Sequence, residues 1–177
     1  DYGNRVGLWR MFEVLDKHNV RCTVSLSMSV IEMYPAILEA MEARRWEYMS
    51  HGYFNTRYHW GYSEEEEREV IEHSKATHLR LTGRKLRGWF SPAVSNTLAT
   101  PDLVKEAGLD YICDFYHDDQ PTPLATMHGT LIHVPYTMDI NDALIYRQPF
   151  EAEEFAQMIV DHFDTVYREG NENGRVM

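Results

Sequence analysis

The chain has 177 residues and a formal net charge of −11 at pH 7, and its length fits one globular domain. Binding to nucleic acid depends mainly on clustered lysine and arginine, so this charge argues against a nucleic-acid partner. No apolar run approaches the roughly 18 residues that a membrane span needs, so we expect no membrane partner either.

The first part of the chain alternates between helical and strand-like patterns. Apolar residues at helical spacing predict a helix around Leu8–Leu15, and the short β-branched run Arg21–Leu26 predicts a strand. A second helical face covers Ile31–Met41, and Trp46–Met49 predicts a second strand. The chain therefore begins as an α/β protein.

A capping box at Ser63–Glu66 marks the start of a long helix that we expect to run from Glu64 to Leu81. Acidic side chains are favoured in the first turn of a helix because of its dipole. We therefore interpret these glutamates as a solvated first turn and not as ligands.

The rest of the chain continues the alternation. Thr100 and Pro101 predict the N-cap and the first-turn proline of a helix that ends near Gly108. Further strands are predicted at Arg87–Phe90, Asp110–Asp114, Leu131–Pro135 and Arg175–Met177, with an amphipathic helix at Phe155–Tyr167. This order predicts one domain, residues 1–177, built on a largely parallel sheet that is either open or closed into a barrel.

Two cysteines, Cys22 and Cys113, lie in apolar stretches that read as buried strands. With no second cysteine beside either of them, we predict reduced structural thiols, not a metal pair. Reduced thiols favour a reducing compartment, so we predict a cytoplasmic location.

Polar clusters follow four of the predicted strands. They are His51–Arg57, Ser91–Asn96, Asp114–Pro121 and Tyr136–Asp142. The carboxyl ends of parallel strands carry the functional groups of α/β proteins, so these clusters predict an active site. Ordinary turns use the same residue types, and that alternative stays open for each cluster.

His51 is the first candidate because it follows a strand and precedes a glycine. Four residues later stands Asn55, a poor zinc ligand, so a standard site with two histidines is not present. His59 lies eight residues after His51 and remains a possible substitute ligand. Asp118 and Asp119 are adjacent, so we expect only one of them to face a cleft.

Several strings resemble the polysaccharide deacetylase (NodB-homology, carbohydrate esterase family four-like) superfamily. These are Tyr2–Gly7, His51–Tyr53, Gly88–Pro92, Asp118–Pro121 and Val134–Asp142. The resemblance is closest to the branch with cofactor-independent allantoinases and peptidoglycan-deacetylase-like proteins, and it covers essentially the whole chain. It implies a distorted (β/α) barrel that hydrolyses an amide through an activated water.

The resemblance also implies roles for single residues. We predict His51 and Asp119 as catalytic, with a set of substrate-binding residues: Asn55, Arg57, Trp89, Pro92, Asp118, Tyr136, Asn141 and Asp142. Many members bind a divalent metal through a first-strand Asp and two histidines in an H-x-x-x-H motif. His51 stands in the first histidine position and Asn55 in the second, so the implied cofactor is either none or a divalent metal such as zinc at His51.

The family's catalytic Asp pair would precede residue 1 and its late histidine would follow Met177. We therefore expect a barrel that is incomplete at both ends and that is inactive without its parent protein. For the parent, the leading hypothesis is a hydrolase of non-peptide C–N bonds that acts on the N-acetyl groups of a glycan. The alternatives are an allantoinase-like cyclic amide hydrolase and an inactive carbohydrate-binding barrel. The substrate would be a glycan or small-molecule amide, and a homo-oligomer is possible.

Overall fold

The structure is a computed structural model that describes residues 2–143, 147 and 150–176. Its centre is one six-stranded sheet with the strand order β1-β2-β3-β4-β6-β5. The strands are β1 (Thr23–Leu26), β2 (Glu47–Ser50), β3 (Gly88–Trp89), β4 (Tyr111–Ile112), β5 (Thr122–Thr126) and β6 (Gly129–His133). All pairs are parallel except β5 with β6. The predicted α/β class with a largely parallel sheet is confirmed, and the sheet of the described residues is open.

Helices connect β1 to β2, β2 to β3 and β3 to β4. A π-helical turn at Gly3–Gly7 leads into the first helix of the chain. The helices are α1 (Leu8–Lys17), α2 (Met28–Met33), α3 (Pro35–Ala43), α4 (Glu64–Thr82), α5 (Thr100–Glu106) and α6 (Ala152–Glu169), with a 3₁₀ turn at Pro92–Val94. The predicted helices at α1, α4 and α6 are confirmed.

The long helix α4 has the predicted capping box. The Ser63 hydroxyl accepts from the Glu66 amide, and the Glu66 carboxylate accepts from the Ser63 amide. Such a cap stabilises a helix by about 1 kcal/mol. Along its inner face α4 buries Glu67, Ile71 and His78.

Two helix boundaries differ from the prediction. The predicted second helix is divided into α2 and α3 at Tyr34, because Pro35 restricts the preceding residue to extended backbone. The predicted N-cap Thr100 is instead the first residue of α5, with Ala99 at the N-cap. The Thr100 hydroxyl accepts from the Thr97 amide at 2.7 Å and donates to Glu67.

Sequence reasoning did not find the hairpin of β5 and β6. Its register pairs Thr122 with His133 and Thr126 with Gly129. Pro123 is tolerated because β5 is an edge strand, where a missing N–H does not break a ladder. The predicted strand at Arg175–Met177 is wrong for Arg175 and Val176, and Met177 lies outside the described residues. The Val176 amide instead donates to the Asp119 carbonyl oxygen at 2.9 Å.

The core lies between the sheet and the helices. Its largest fully buried side chains include Trp89, Phe12, Met41 and Leu131. Cys113 is buried and Cys22 is half-buried, and both thiols are free. Burial raises the pKa of the Cys113 thiol to about 12, so this cysteine is inert as a nucleophile.

Candidate functional site at the carboxyl edge of the sheet

The carboxyl ends of the parallel strands meet at one edge of the sheet, and a cavity of about 510 Å³ opens there. Its lining includes His51 and Asn55 from the segment after β2, Phe90 after β3 and Tyr136 after β6. These residues come from three of the four predicted strand-end clusters or their flanks. The structure therefore brings His51, Asn55 and Tyr136 together.

His51 is held in a defined orientation. Its Nδ1 lies 3.0 Å from the Phe90 carbonyl oxygen, and its ring stacks on the Phe90 ring at a centroid distance of 4.9 Å. A carbonyl oxygen can only accept, so Nδ1 carries the proton of the neutral ring and Nε2 keeps its lone pair. Burial lowers the pKa of His51, against the opposing effect of hydrogen bonds to Phe90 and the Asn55 side chain. The ring is therefore neutral at pH 7.

The backbone after His51 requires a glycine. Gly52 has φ +68°, and a Cβ at this position would lie 2.8 Å from Cγ of Pro92. The Gly52 and Tyr53 carbonyl oxygens accept from the Met28 and Ser29 amides, which are free N-terminal donors of α2. The segment that carries His51 is thus fixed to a helix on one side and to Pro92 on the other. Pro92 is buried and supports the backbone.

Tyr136 is the second polar group of the cavity. Its ring packs against Phe90 at a centroid distance of 4.5 Å, and its hydroxyl accepts from the Asn141 side-chain amide. Asn141 is itself fixed, because its Oδ1 accepts from the Ala143 amide at 2.8 Å. Burial raises the pKa of Tyr136, so the phenol stays protonated and its O–H remains a donor. Asp142 is exposed beside this group.

Asp114, two residues after β4 and the first residue of the third predicted cluster, is a buried carboxyl to which the sequence assigned no role. It accepts from the Ser91 amide at 2.6 Å and from the Ser91 hydroxyl at 2.7 Å. Burial raises its pKa to about 6, although the bonds from Ser91 oppose the shift. The Trp89 indole N–H also donates to the Ser91 hydroxyl, at 3.0 Å. Trp89 is fully buried, so its place in the core supports Ser91 and offers no ring face to a substrate.

His59 and Glu67 form a second group that sequence reasoning missed. Both are fully buried, with His59 Nδ1 3.1 Å from Glu67 Oε1. Thr97 donates to Glu67 at 2.7 Å, and Thr100 donates to the same carboxylate. Burial raises the pKa of Glu67, but the bonds from His59, Thr100 and Thr97 outweigh it, and the net shift is downward. Glu67 is therefore a buried structural carboxylate, whereas Glu64, Glu65 and Glu66 before it are exposed, as predicted.

The pair also ties the His51 segment to the segment after β3, because the His59 amide donates to the Ser95 hydroxyl at 2.8 Å. His59 Nε2 has no partner among the described residues and is buried. His59 lies outside the lining of the His51 cavity. With Nδ1 facing Glu67, the nitrogen left for a metal would be Nε2.

The predicted residues Asp118 and Asp119 line a neighbouring cavity of about 600 Å³, which also includes Tyr136. Asp118 Oδ1 accepts from the amides of Asp119 and Gln120 at 2.8 and 3.0 Å, so it closes a turn. Asp119 forms an ion pair with Arg175 at 2.5 Å. The predicted catalytic Asp119 is thus not in the lining of the His51 cavity.

Arg57 is exposed, and its guanidinium lies 5.4 Å from the centre of the Phe54 ring. It is on the same segment as His51 but outside the cavity lining. Within the described part of the chain, no group of three or more His, Cys, Asp or Glu side chains could hold a metal. Because Asn55 replaces the second imidazole, the donors present around His51 do not fit a zinc site by themselves.

Comparison with known proteins identifies the class. A sequence model described as "Polysaccharide deacetylase" matches residues 1–112, and the chain belongs to the polysaccharide deacetylase family. A Schizosaccharomyces pombe protein named "Putative polysaccharide deacetylase" is 31% identical over 196 residues, which cover 100% of this chain and 60% of that protein. Among the described residues, no helix has the length and apolar character to cross a membrane.

Two solved structures extend this comparison. "Puue Allantoinase" matches with a TM-score of 0.88 and 29% identity, over 97% of this chain and 57% of that one. A "probable Polysaccharide deacetylase" from Pseudomonas aeruginosa PAO1 matches with a TM-score of 0.86 and 33% identity, over 97% and 58%. The expected family and fold class are confirmed. The chain spans less than two thirds of the length of each of these relatives.

Proposed function

We propose that the parent protein is a hydrolase of non-peptide C–N bonds and that its substrate is an N-acetylated glycan. Family membership and the names of the two deacetylase relatives support this assignment. Residues 1–177 would form one NodB-homology-like domain of that protein, and activity would belong to the parent.

The observation that carries the proposal is the neutral imidazole of His51 in the same cavity as the Tyr136 phenol. With Nδ1 donating to the Phe90 carbonyl oxygen, Nε2 can accept a hydrogen bond from the attacking water. The Tyr136 hydroxyl accepts from Asn141 and so keeps its own proton to donate to the carbonyl oxygen of the amide. Hydrolysis then adds the water oxygen to the carbonyl carbon, breaks the C–N bond, and releases an amine and a carboxylic acid.

The shape of the edge supports an extended substrate. Tyr136 lines both the cavity of His51 and the neighbouring cavity of about 600 Å³. A glycan can occupy both, whereas a small ring fills only one. Asp118, Asp139 and Tyr116 in the second cavity offer the carboxylates and the aromatic ring that suit sugar hydroxyls.

An allantoinase-like reaction is the second candidate. The match to an allantoinase structure and the Asn55 in place of the second histidine both favour it. The proposal is tested by measuring acetate release from acetylated oligosaccharides and consumption of allantoin by the full-length protein. Acetate release supports the leading proposal and allantoin consumption supports the second. Saturable oligosaccharide binding with no turnover of either amide would instead identify a carbohydrate-binding barrel.

We further propose that the protein is cytoplasmic, which its free thiols support. We also propose that it can form a homo-oligomer. Cell fractionation and light scattering of the full-length protein test these two points. A membrane or secreted fraction would contradict the first, and a strictly monomeric protein would contradict the second.

A further inference from the structure

A separate cavity lies at the opposite, amino edge of the sheet and has the character of an anion site. It measures about 470 Å³. Its charged lining consists of five cations and one carboxylate: Arg21, Arg45, Arg84, Lys85, Arg87 and Glu47. In a chain with a formal charge of −11, this is a local reversal of sign. We propose that this cavity binds a small ligand through a phosphate group, independently of the proposed hydrolase function.

Two of the cations have no carboxylate partner. Arg84 pairs with Glu42, and Arg87 pairs with Asp110 at 2.7 Å, with Lys85 4.0 Å from the same carboxylate. Among the described residues, neither Arg21 nor Arg45 pairs with an acid. With Glu42, Glu47 and Asp110 included, the cations exceed the carboxylates by two. A phosphate monoester carries about this charge at neutral pH.

The two unpaired arginines are also held next to each other. Arg21 Nη2 donates to the Arg45 carbonyl oxygen at 2.9 Å. This bond places the Arg21 guanidinium beside the backbone of Arg45, and both side chains line the cavity. Guanidinium groups match the oxygen geometry of phosphate through paired N–H donors.

The backbone at Arg45 gives independent support. Helix α3 ends in a Schellman motif, because the Trp46 amide donates to the Met41 carbonyl oxygen and the Arg45 amide donates to that of Glu42. Arg45 therefore occupies the left-handed position of that motif, with φ +56°. This position usually takes Gly or Asn. The chain follows that rule after α1, α4 and α5, which use Asn19, Gly83 and Gly108.

An arginine at this position costs backbone energy that Asn or Gly would avoid, and such strain marks functional sites. His78 also lines the cavity, with Nδ1 2.9 Å from the Arg84 carbonyl oxygen. A small ligand fits better than a polymer, because the surrounding negative charge of the chain repels an extended polyanion.

The test is calorimetric titration of the full-length protein with inorganic phosphate, at ionic strength matched with chloride. Arg45→Asn and Arg21→Gln should each weaken phosphate binding by at least about tenfold, since each removes one charge-assisted contact. Arg168→Asn, which removes an exposed charge from α6, should bind phosphate like the wild type.

Arg45→Asn has a second readout that separates ligand binding from a structural role. Asn suits the left-handed backbone, so the melting temperature without phosphate should stay equal or rise, and amide hydrolysis should be unchanged. The proposal is overturned if the wild type shows no saturable phosphate binding, or if Arg45→Asn and Arg168→Asn bind phosphate equally. It is also overturned if a single-stranded oligonucleotide binds this site more tightly than phosphate does.

Discussion

The two edges of one sheet carry opposite kinds of chemistry. At the carboxyl edge, His51, Tyr136 and Asp114 are partly or fully buried, and each is hydrogen-bonded: His51 to the Phe90 carbonyl oxygen, Tyr136 to the Asn141 side chain, and Asp114 to Ser91. At the amino edge, Arg45, Lys85 and Arg87 are exposed. Burial shifts the pKa values of titratable groups at the carboxyl edge, whereas the amino edge presents exposed positive charges. Proton transfer needs the first environment and anion binding needs the second.

The largest effect should come from the buried carboxylate beneath the carboxyl edge. Replacing Glu67 by Ala leaves His59, Thr97 and Thr100 without their shared acceptor. Buried donors left without a partner cost about 1–3 kcal/mol each, so urea unfolding should show a loss of at least about 3 kcal/mol. Glu64→Ala, in the exposed first turn of the same helix, should cost less than about 1 kcal/mol. Equal losses in the two variants would mean that Glu67 is an ordinary surface residue.

A comparable effect, on turnover and not on stability, is expected at His51. In the full-length enzyme His51→Gln should lower turnover at least about a hundredfold, the lower scale for a positioned acid–base group. The melting temperature should stay nearly unchanged, since glutamine can still donate to the Phe90 carbonyl oxygen. Wild-type turnover in a folded His51→Gln variant would remove His51 from the mechanism.

Asp114 should make stability depend on pH. Burial raises the pKa of Asp114 from the usual 3.8 to about 6, so the folded state binds the proton more tightly than the unfolded chain does. The associated stability is present at low pH and is lost as the pH rises from about 4 to about 6, by about 2–3 kcal/mol. Asp114→Asn should remove this slope, because an amide does not titrate. A variant with the same slope as the wild type would show that Asp114 is not its source.

The smallest effect is expected in the zinc content of the purified protein. Since Asn55 leaves His51 one imidazole short, we expect the full-length protein purified without chelator to hold much less than one zinc per chain. Elemental analysis measures this directly. About one zinc per chain, lost on His51→Ala, would contradict the prediction.

The elements that the sequence predicted well are those with strong local signals. The capping box of Ser63 and Glu66 and the apolar spacing of α1 depend on neighbours along the chain. The hairpin of β5 and β6 was missed because Pro123 interrupts its pattern and only the pairing with β6 makes β5 a strand. The break between α2 and α3 follows from Pro35, which was visible in the sequence.

The residues of the candidate site also divide into those with a local sequence signal and those that depend on tertiary packing. His51 and Tyr136 could be found because they follow strands, whereas the burial of Asp114 and Glu67 depends on tertiary packing. One signal for Glu67 was present, since Glu67, Ile71 and His78 share a helical face, as do the other residues that α4 buries. This spacing places Glu67 on the inner face of α4, next to the exposed glutamates of its first turn.

The most direct test of the central claim is an NMR titration of the ring nitrogens of His51 in the full-length protein. We expect a pKa below the usual 6.5, with the proton of the neutral ring on Nδ1, because burial outweighs the bonds to Phe90 and Asn55. Turnover should then fall as the pH drops through that pKa, where the ring becomes charged. A ring that remains protonated above pH 6.5, or a neutral ring with its proton on Nε2, would contradict the account.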